Sequence, residues 1–304
     1  MSSLDDSSPK EATITGLFRF AVKGLNADSL SQVVIPQPFD TFPDDRRFAL
    51  LYDNKTEVWQ EILDENDGQP EWLHKANFLC VFTNPEFLAS LDASYRIIPE
   101  SEDQETQRIL ELRNRSSGEV VWGPEDLATS AGRTSLGDFF SKQSDNKVQC
   151  ITADSPKASQ HKFQFGNTSS GWELREDTRC IHLVNANTVQ QVADKCQLPI
   201  LNPIRFRPNI VVEGWEPWAE FDWIGKTLQV KAGTSTMNLK IIDKAVRCEG
   251  INIDPLDPGT YVDIPKLLIE HFPEHGPYLG IYAIIETAGE LNVGDKVSLL
   301  VQDE

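Results

Sequence analysis

From Thr13 onward the sequence is cut into short apolar runs, most of them closed by proline, glycine or a polar cluster. Thr13–Val22, Ser31–Ile35, Arg47–Tyr52 and Phe78–Thr83 are of strand length, and Pro36, Pro38 and Pro43 break the chain between them. Val120–Trp122, Cys180–Val184, Asn209–Val212, Thr227–Val230 and Leu239–Ile242 repeat the pattern. Tyr282–Thr287 and Lys296–Val301 close the chain around a Gly294–Asp295 turn. Few stretches carry helical spacing. Leu136–Ser141 predicts a turn or two of helix, Asn187–Lys195 a helix capped by Asn185 or Asn187, and Ile264–Phe272 an amphipathic helix. Glu100–Arg115 is polar and charged, and reads as a loop or a solvated excursion. There is no glycine-rich phosphate loop and no internal repeat. Many short strands with few helices predict barrels or sandwiches rather than a doubly wound sheet.

At about 150 residues per domain, 304 residues predict roughly two domains. Ser155–Gly171, rich in Ser, Gln and Gly, is the expected linker region. The expected division is a disordered tail over 1–11, an N-terminal domain over 12–148 and a C-terminal domain over 149–304. The tail carries Asp5, Asp6 and Glu11 against Lys10, so it lacks the basic start and apolar core of a secretory signal. With no apolar run near the ~20 residues of a membrane span, the expectation is a cytoplasmic protein. The net charge of −19 disfavours nucleic acid and anionic membrane as partners, because like charges repel. It leaves room for a small anion in a local basic pocket.

Three features carry possible chemistry. Arg205 and Arg207 flank Phe206 just before Pro208–Asn209. Guanidinium forks hold phosphate or carboxylate bidentately, so this pair reads as an anion socket; it reads equally as two surface arginines paired with Glu213 and Glu220. Lys23 and Arg46 are further anion-binding candidates, although Asp44 and Asp45 offer them ordinary ion pairs. Cys248 follows Arg247 and stands near Lys244. Neighbouring cations favour the thiolate, the form that attacks or binds a soft metal. An inert structural thiol is the alternative. The five cysteines, Cys80, Cys150, Cys180, Cys196 and Cys248, include no C-x-x-C pair, which argues against a disulfide framework or structural zinc.

Four segments in order, Leu17–Gly24 (LFRFAVKG), Asp44–Leu51 (DDRRFALL), Phe206–Gly214 with the acidic Glu220–Trp223 element, and Arg247–Pro255 (RCEGINIDP), resemble the molybdenum cofactor sulfurase C-terminal (MOSC) family. The likeness is to its two-barrel branch, which includes the mitochondrial amidoxime-reducing component and bacterial relatives. Asp177–Val189 and Gly280–Leu300 resemble the strands flanking the family's site. The resemblance implies a mainly β fold: an N-terminal MOSC-type β-barrel domain packed against a C-terminal MOSC β-barrel, with a few short helices.

It also implies a site. Cys248 matches the molybdenum-ligating, catalytic cysteine. Lys23, Arg46 and Arg207 match basic residues around the pterin and its phosphate, and Asn209, Asn185 and Thr188 match polar contacts. The implied cofactor is molybdenum–molybdopterin, with pyridoxal phosphate binding as a family-level attribute. The implied activity is reduction of N-hydroxylated or N-oxide small molecules. With neither a four-cysteine cluster motif nor a flavin fingerprint, electrons are expected from a separate donor of the cytochrome b5 or flavoprotein reductase type. A cofactor carrier or sulfur-transfer protein, and a non-catalytic binding protein of the same fold, are the alternatives. The sequence departs from the family pattern at Gly24, where serine is common, at Ile251–Asn252, where two threonines are usual, and at Lys75, in place of an arginine.

Overall fold

A computed structural model of the chain describes residues 11–300 except 67, 69–72, 82, 103, 155–163, 167–178, 234 and 258. The expected tail, apart from Glu11, and most of the expected linker lie outside the described residues.

The chain is mainly β, as expected, with few short helices. In order the elements are β1 (Glu11–Arg19), β2 (Asp28–Leu30), β3 (Gln32–Ile35), β4 (Phe48–Tyr52), α1 (Thr56–Glu65), α2 (Pro85–Ala89), β5 (Leu91–Ile98), β6 (Gln107–Asn114), β7 (Val120–Asp126), α3 (Ser130–Lys142) and β8 (Val148–Thr152). There follow β9 (Cys180–Asn185), α4 (Ala186–Lys195), β10 (Ile210–Glu213), β11 (Thr227–Ala232), β12 (Ser235–Val246), α5 (Ile264–His271), β13 (Tyr278–Ile285), β14 (Gly289–Asn292) and β15 (Lys296–Leu299).

Seven strands close into a barrel in the order β10-β9-β13-β12-β11-β15-β1, with β1 pairing back to β10 and β2 hanging from β1. Pairing is antiparallel except between β9 and β10. Alternate residues of β11, and those of β1 on either side of an irregularity between Ile14 and Gly16, point inward, so Ile14, Leu17, Leu228 and Val230 join Leu183, Leu239, Ile281 and Val297 in the barrel core. β9 is buried at every position: Ile181, Leu183 and Val184 join the barrel core, while Cys180 packs with Ile242, Ala245, Tyr282 and Ile284 in a separate cluster. Burying apolar surface at about 25 cal/mol per Å² is the main force holding these layers together.

This pairing cuts across the division expected at 148/149. β1 to β3 belong to the barrel of the C-terminal half: β1 fills the gap between β10 and β15, and β3 pairs with β14. Without β1 the barrel would expose two unpaired edges. Glu11, assigned to the tail, is the first residue of β1. The rest of the N-terminal half contains a β4–β8 pair and a β5–β6–β7 sheet. Around them Phe48, Leu50, Leu110, Leu112, Leu136 and Phe140 form a second core.

The strand expected at Phe78–Thr83 is replaced by a turn. Phe78 makes one bridge to Leu51, after which the Thr83 hydroxyl donates to the Cys80 carbonyl and accepts from the Cys80 N–H, both at 3.0 Å. A side chain that satisfies the backbone locally removes the need for a strand partner. The helices expected near 136–141, 187–195 and 264–272 are α3, α4 and α5, and Asn185 is the N-cap of α4. No helix among the described residues is long and apolar enough to cross a membrane.

Candidate functional site

A cavity of about 330 Å³ is walled by both halves of the chain: Lys23, Arg46, Phe78 and Cys80 on one side, Arg207, Asn209, Arg247 and Cys248 on the other. Five of the seven residues expected at the site therefore meet here. Asn185 and Thr188 do not line it.

Lys23 follows β1, held where its N–H donates to the Phe48 carbonyl (2.8 Å). Its ammonium donates to the Phe165 carbonyl at 3.1 Å and lies 5.4 Å from the Phe78 ring centroid. Burial lowers its pKa to about 8; nearby Cys80 opposes that fall, and Arg207, Arg46 and Lys75 add to it.

Arg46 and Arg207 share an unusual backbone. Both are left-handed, with φ of 54° and 57°, which turns their side chains out of the flanking elements. Arg207 ends the 3-10 turn Pro203–Phe206, its own N–H closing on the Ile204 carbonyl. The two guanidinium carbons lie 4.9 and 4.2 Å from the Phe20 ring centroid, so one aromatic ring seats both cations. Arg46 pairs with Asp45 and donates through Nη2 to the Arg207 carbonyl (3.2 Å). Arg207 donates through Nη1 to the Leu25 carbonyl at 3.0 Å, while burial and the Arg46 charge lower its pKa to about 9. It remains a cation at neutral pH.

Asn209 lines the cavity with its amide already engaged. Its Oδ1 accepts from the His182 N–H (3.1 Å) and its Nδ2 donates to the Phe18 carbonyl (3.2 Å), stapling β9 to β1.

Asn185 and Thr188, expected at the site, face a different group. Both are fully buried and hold the carboxylate of Glu220. Asn185 Nδ2 donates to Oε2 at 3.0 Å and Thr188 Oγ1 donates to Oε1 at 2.9 Å. Burial raises the Glu220 pKa to about 7 against the pull of those two hydrogen bonds. The acidic element before Trp223 thus serves the interior below α4. Glu220 therefore has no part in pairing Arg205 or Arg207.

Arg205, candidate partner of Arg207, also faces elsewhere. It is buried, and its guanidinium donates to the Ile251 and Asn252 carbonyls, each at 2.6 Å. Lys244 does not line the cavity; its ammonium lies 4.4 Å from the Phe221 ring centroid.

Cys248 is exposed and stands at the N-cap of the 3-10 turn Glu249–Ile251, at the cavity edge. Cys80 is a second thiol on the wall, and buried Cys150 and Cys180 are pushed up to about 12 by desolvation. Gly24 has φ +94°, and a Cβ there would fall 2.9 Å from the Cys80 Cα, so the missing hydroxyl is the consequence of close backbone approach. Among the described residues no group of three or more His, Cys, Asp or Glu side chains is arranged to hold a metal ion.

Two wall residues escaped the sequence reading as site members. Arg247, which in sequence stands out only as the neighbour of Cys248, lines the cavity with His182 and Tyr282. His182 sits in an apolar strand, where a lone histidine carries no distinguishing signal.

The family model of the MOSC domain matches residues 160–298. No curated protein matches the chain. Among solved structures, the YuaD protein from Bacillus subtilis is similar with a TM-score of 0.39 and 10% identity, covering 96% of this chain and 97% of its own. YiiM from Geobacillus stearothermophilus is similar over 40% of this chain and 54% of its own, with a TM-score of 0.29 and 16% identity.

Proposed function

We propose that the cavity holds a phosphorylated molybdenum–pterin cofactor and that the chain is an oxidoreductase acting on N-hydroxylated or N-oxide small molecules. The observation that carries this reading is the convergence of Lys23, Arg46, Arg207 and Arg247 on one cavity in a chain of net charge −19. Burial, and after it the neighbouring positive charges, lowers the pKa of Lys23 and Arg207, and an entering anion relieves both costs. The donor set fits the group: guanidinium forks and an ammonium for phosphate, and a thiol at the cavity edge for a soft metal.

In this reading Arg207 and Lys23 bind the phosphate, and Arg46 braces the Arg207 backbone. The Phe20 ring keeps both guanidiniums in place. Cys248 supplies the thiolate ligand, and Phe78, Phe206 and Ile251 exclude water from the space beside it. When bound, the cofactor supplies two-electron redox chemistry. Electrons would come from a separate protein donor.

The exposure of Cys248, with Cys80 on the same cavity, supports a second reading as a carrier or sulfur-transfer protein. One experiment separates them. The chain and its Cys248→Ser variant are purified from a host that makes the cofactor, and molybdenum, pterin and persulfide are measured per chain, with N-hydroxyamidine reduction driven by a reduced viologen. Bound molybdenum and turnover that both depend on Cys248 support the reductase. Persulfide on Cys248 without stable metal supports the carrier. Pterin, metal and persulfide all absent from both proteins would overturn both readings.

A further inference from the structure

We infer that His182 is a positioning residue of the cavity: as the neutral Nδ1–H tautomer, it ties the backbone of Arg207 to the side chain of Arg247 and so sets the spacing of two anion-binding cations. The inference rests on the anion-socket reading above and names the device that orients it.

His182 lies on β9, paired with Tyr282 of β13, and its ring is buried against the Tyr282 ring with centroids 5.5 Å apart. Its two nitrogens meet groups of opposite kind. Nδ1 stands 3.3 Å from the Arg207 carbonyl, which can only accept. Nε2 stands 3.4 Å from Arg247 Nη1, which can only donate. The proton therefore belongs on Nδ1 and the lone pair on Nε2. Burial, followed by the Arg247 charge, pushes the imidazole well below its ordinary range, against the carbonyls of Arg207 and Leu279. A neutral ring adds no fifth positive charge to a crowded site.

The consequence falls on Arg247. Its Nη1 is committed to His182 and to the Phe206 carbonyl at 3.0 Å, and its Nε to the Val246 carbonyl at 3.1 Å. Nη2 has no protein partner among the described residues, and the side chain lines the cavity. His182 thus joins the Phe206 and Val246 carbonyls in holding Nη1 and Nε, and the remaining Nη2 edge is offered to a ligand beside Cys248. The packing that allows this is tight: Gly280, at φ +80°, leaves a gap where a Cβ would fall 2.6 Å from His182 Nε2.

Two measurements on the full chain test the inference. In protein carrying 15N-histidine, the His182 ring should report a protonated Nδ1 and an unprotonated Nε2; an Nε2–H tautomer or an imidazolium overturns it. Inorganic phosphate binding is then titrated for wild type, His182→Phe, His182→Asn and His182→Gln. Phenylalanine keeps the packing and loses both polar ties, so affinity should fall about tenfold. Glutamine can present an acceptor to Arg247 and should recover most of the loss, whereas asparagine, too short to reach Arg247, should not. Wild-type affinity in folded His182→Phe, or equal failure of both amides, overturns the inference. If the wild type binds no phosphate, the socket reading falls, and the tautomer alone decides the state of His182.

Discussion

The guanidinium of Arg205 lies 3.2 Å from the carboxylate of Asp254, buried beneath the loop that follows Cys248, while Arg207, two residues on, turns into the cavity. Two arginines that look equivalent in sequence are divided between holding the loop and facing the ligand. Arg205→Leu should therefore destabilise the fold by about 3–5 kcal/mol, because Asp254 and the Ile251 and Asn252 carbonyls lose their donor. Chemical denaturation measures this, and a loss below 1 kcal/mol would contradict the assignment. Arg207→Leu should cost anion binding far more than stability.

Lys23 gives the site a pH dependence. Sulfate, whose charge is constant in this range, should bind with falling affinity as pH rises through about 8, where Lys23 loses its proton. By linkage, bound sulfate should raise that pKa, so binding near pH 8 should take up protons. Calorimetry in buffers of different ionisation enthalpy reads the uptake. Lys23→Met should bind more weakly and lose the pH dependence.

Glu220 should make stability fall as pH rises. Its folded pKa, about 7, lies above the ordinary 4.5, so the folded state holds the proton more tightly. The associated stability is fully present below about pH 4.5 and is lost as pH passes through about 7. Glu220→Gln, which keeps the shape and one of the two acceptor oxygens but cannot titrate, should flatten the pH 5–8 slope of the unfolding free energy. An unchanged slope would show that Glu220 is not its source.

Thiol reactivity should follow exposure. Iodoacetamide at neutral pH should label Cys248 first in the native protein, and should reach Cys150 and Cys180 only after unfolding, since both are buried and pushed up to about 12. Peptide mass spectrometry reads the order.

Gly24→Ser, which would add back a hydroxyl beside Lys23, should lower stability by about 1–3 kcal/mol. Its Cβ would meet the Cys80 backbone at 2.9 Å in a left-handed conformation. A thermal melt equal to wild type would refute the close approach.

Apart from α1, β5 and β6, which no local pattern marked, the sequence by itself determined the strands of the barrel, the helices at α3, α4 and α5, and the mainly β class. Those depend on periods of two and 3.6 residues and on Pro, Gly and Asn at fixed offsets, all of which are local. It also marked Lys23, Arg46, Arg207 and Cys248, because charged and thiol side chains beside tight turns stand out in any reading. What it left open was direction. Whether Arg205 or Arg207 faces the cavity depends on one left-handed residue at the end of a 3-10 turn. Whether Asn185 and Thr188 serve a ligand or Glu220 depends on which side of β9 and α4 the interior lies. The closing of the barrel by β1 joins segments nearly 200 positions apart, and His182 gains a role only when Arg207 and Arg247 arrive at its two nitrogens. These are long-range relations fixed by packing, which no local pattern encodes.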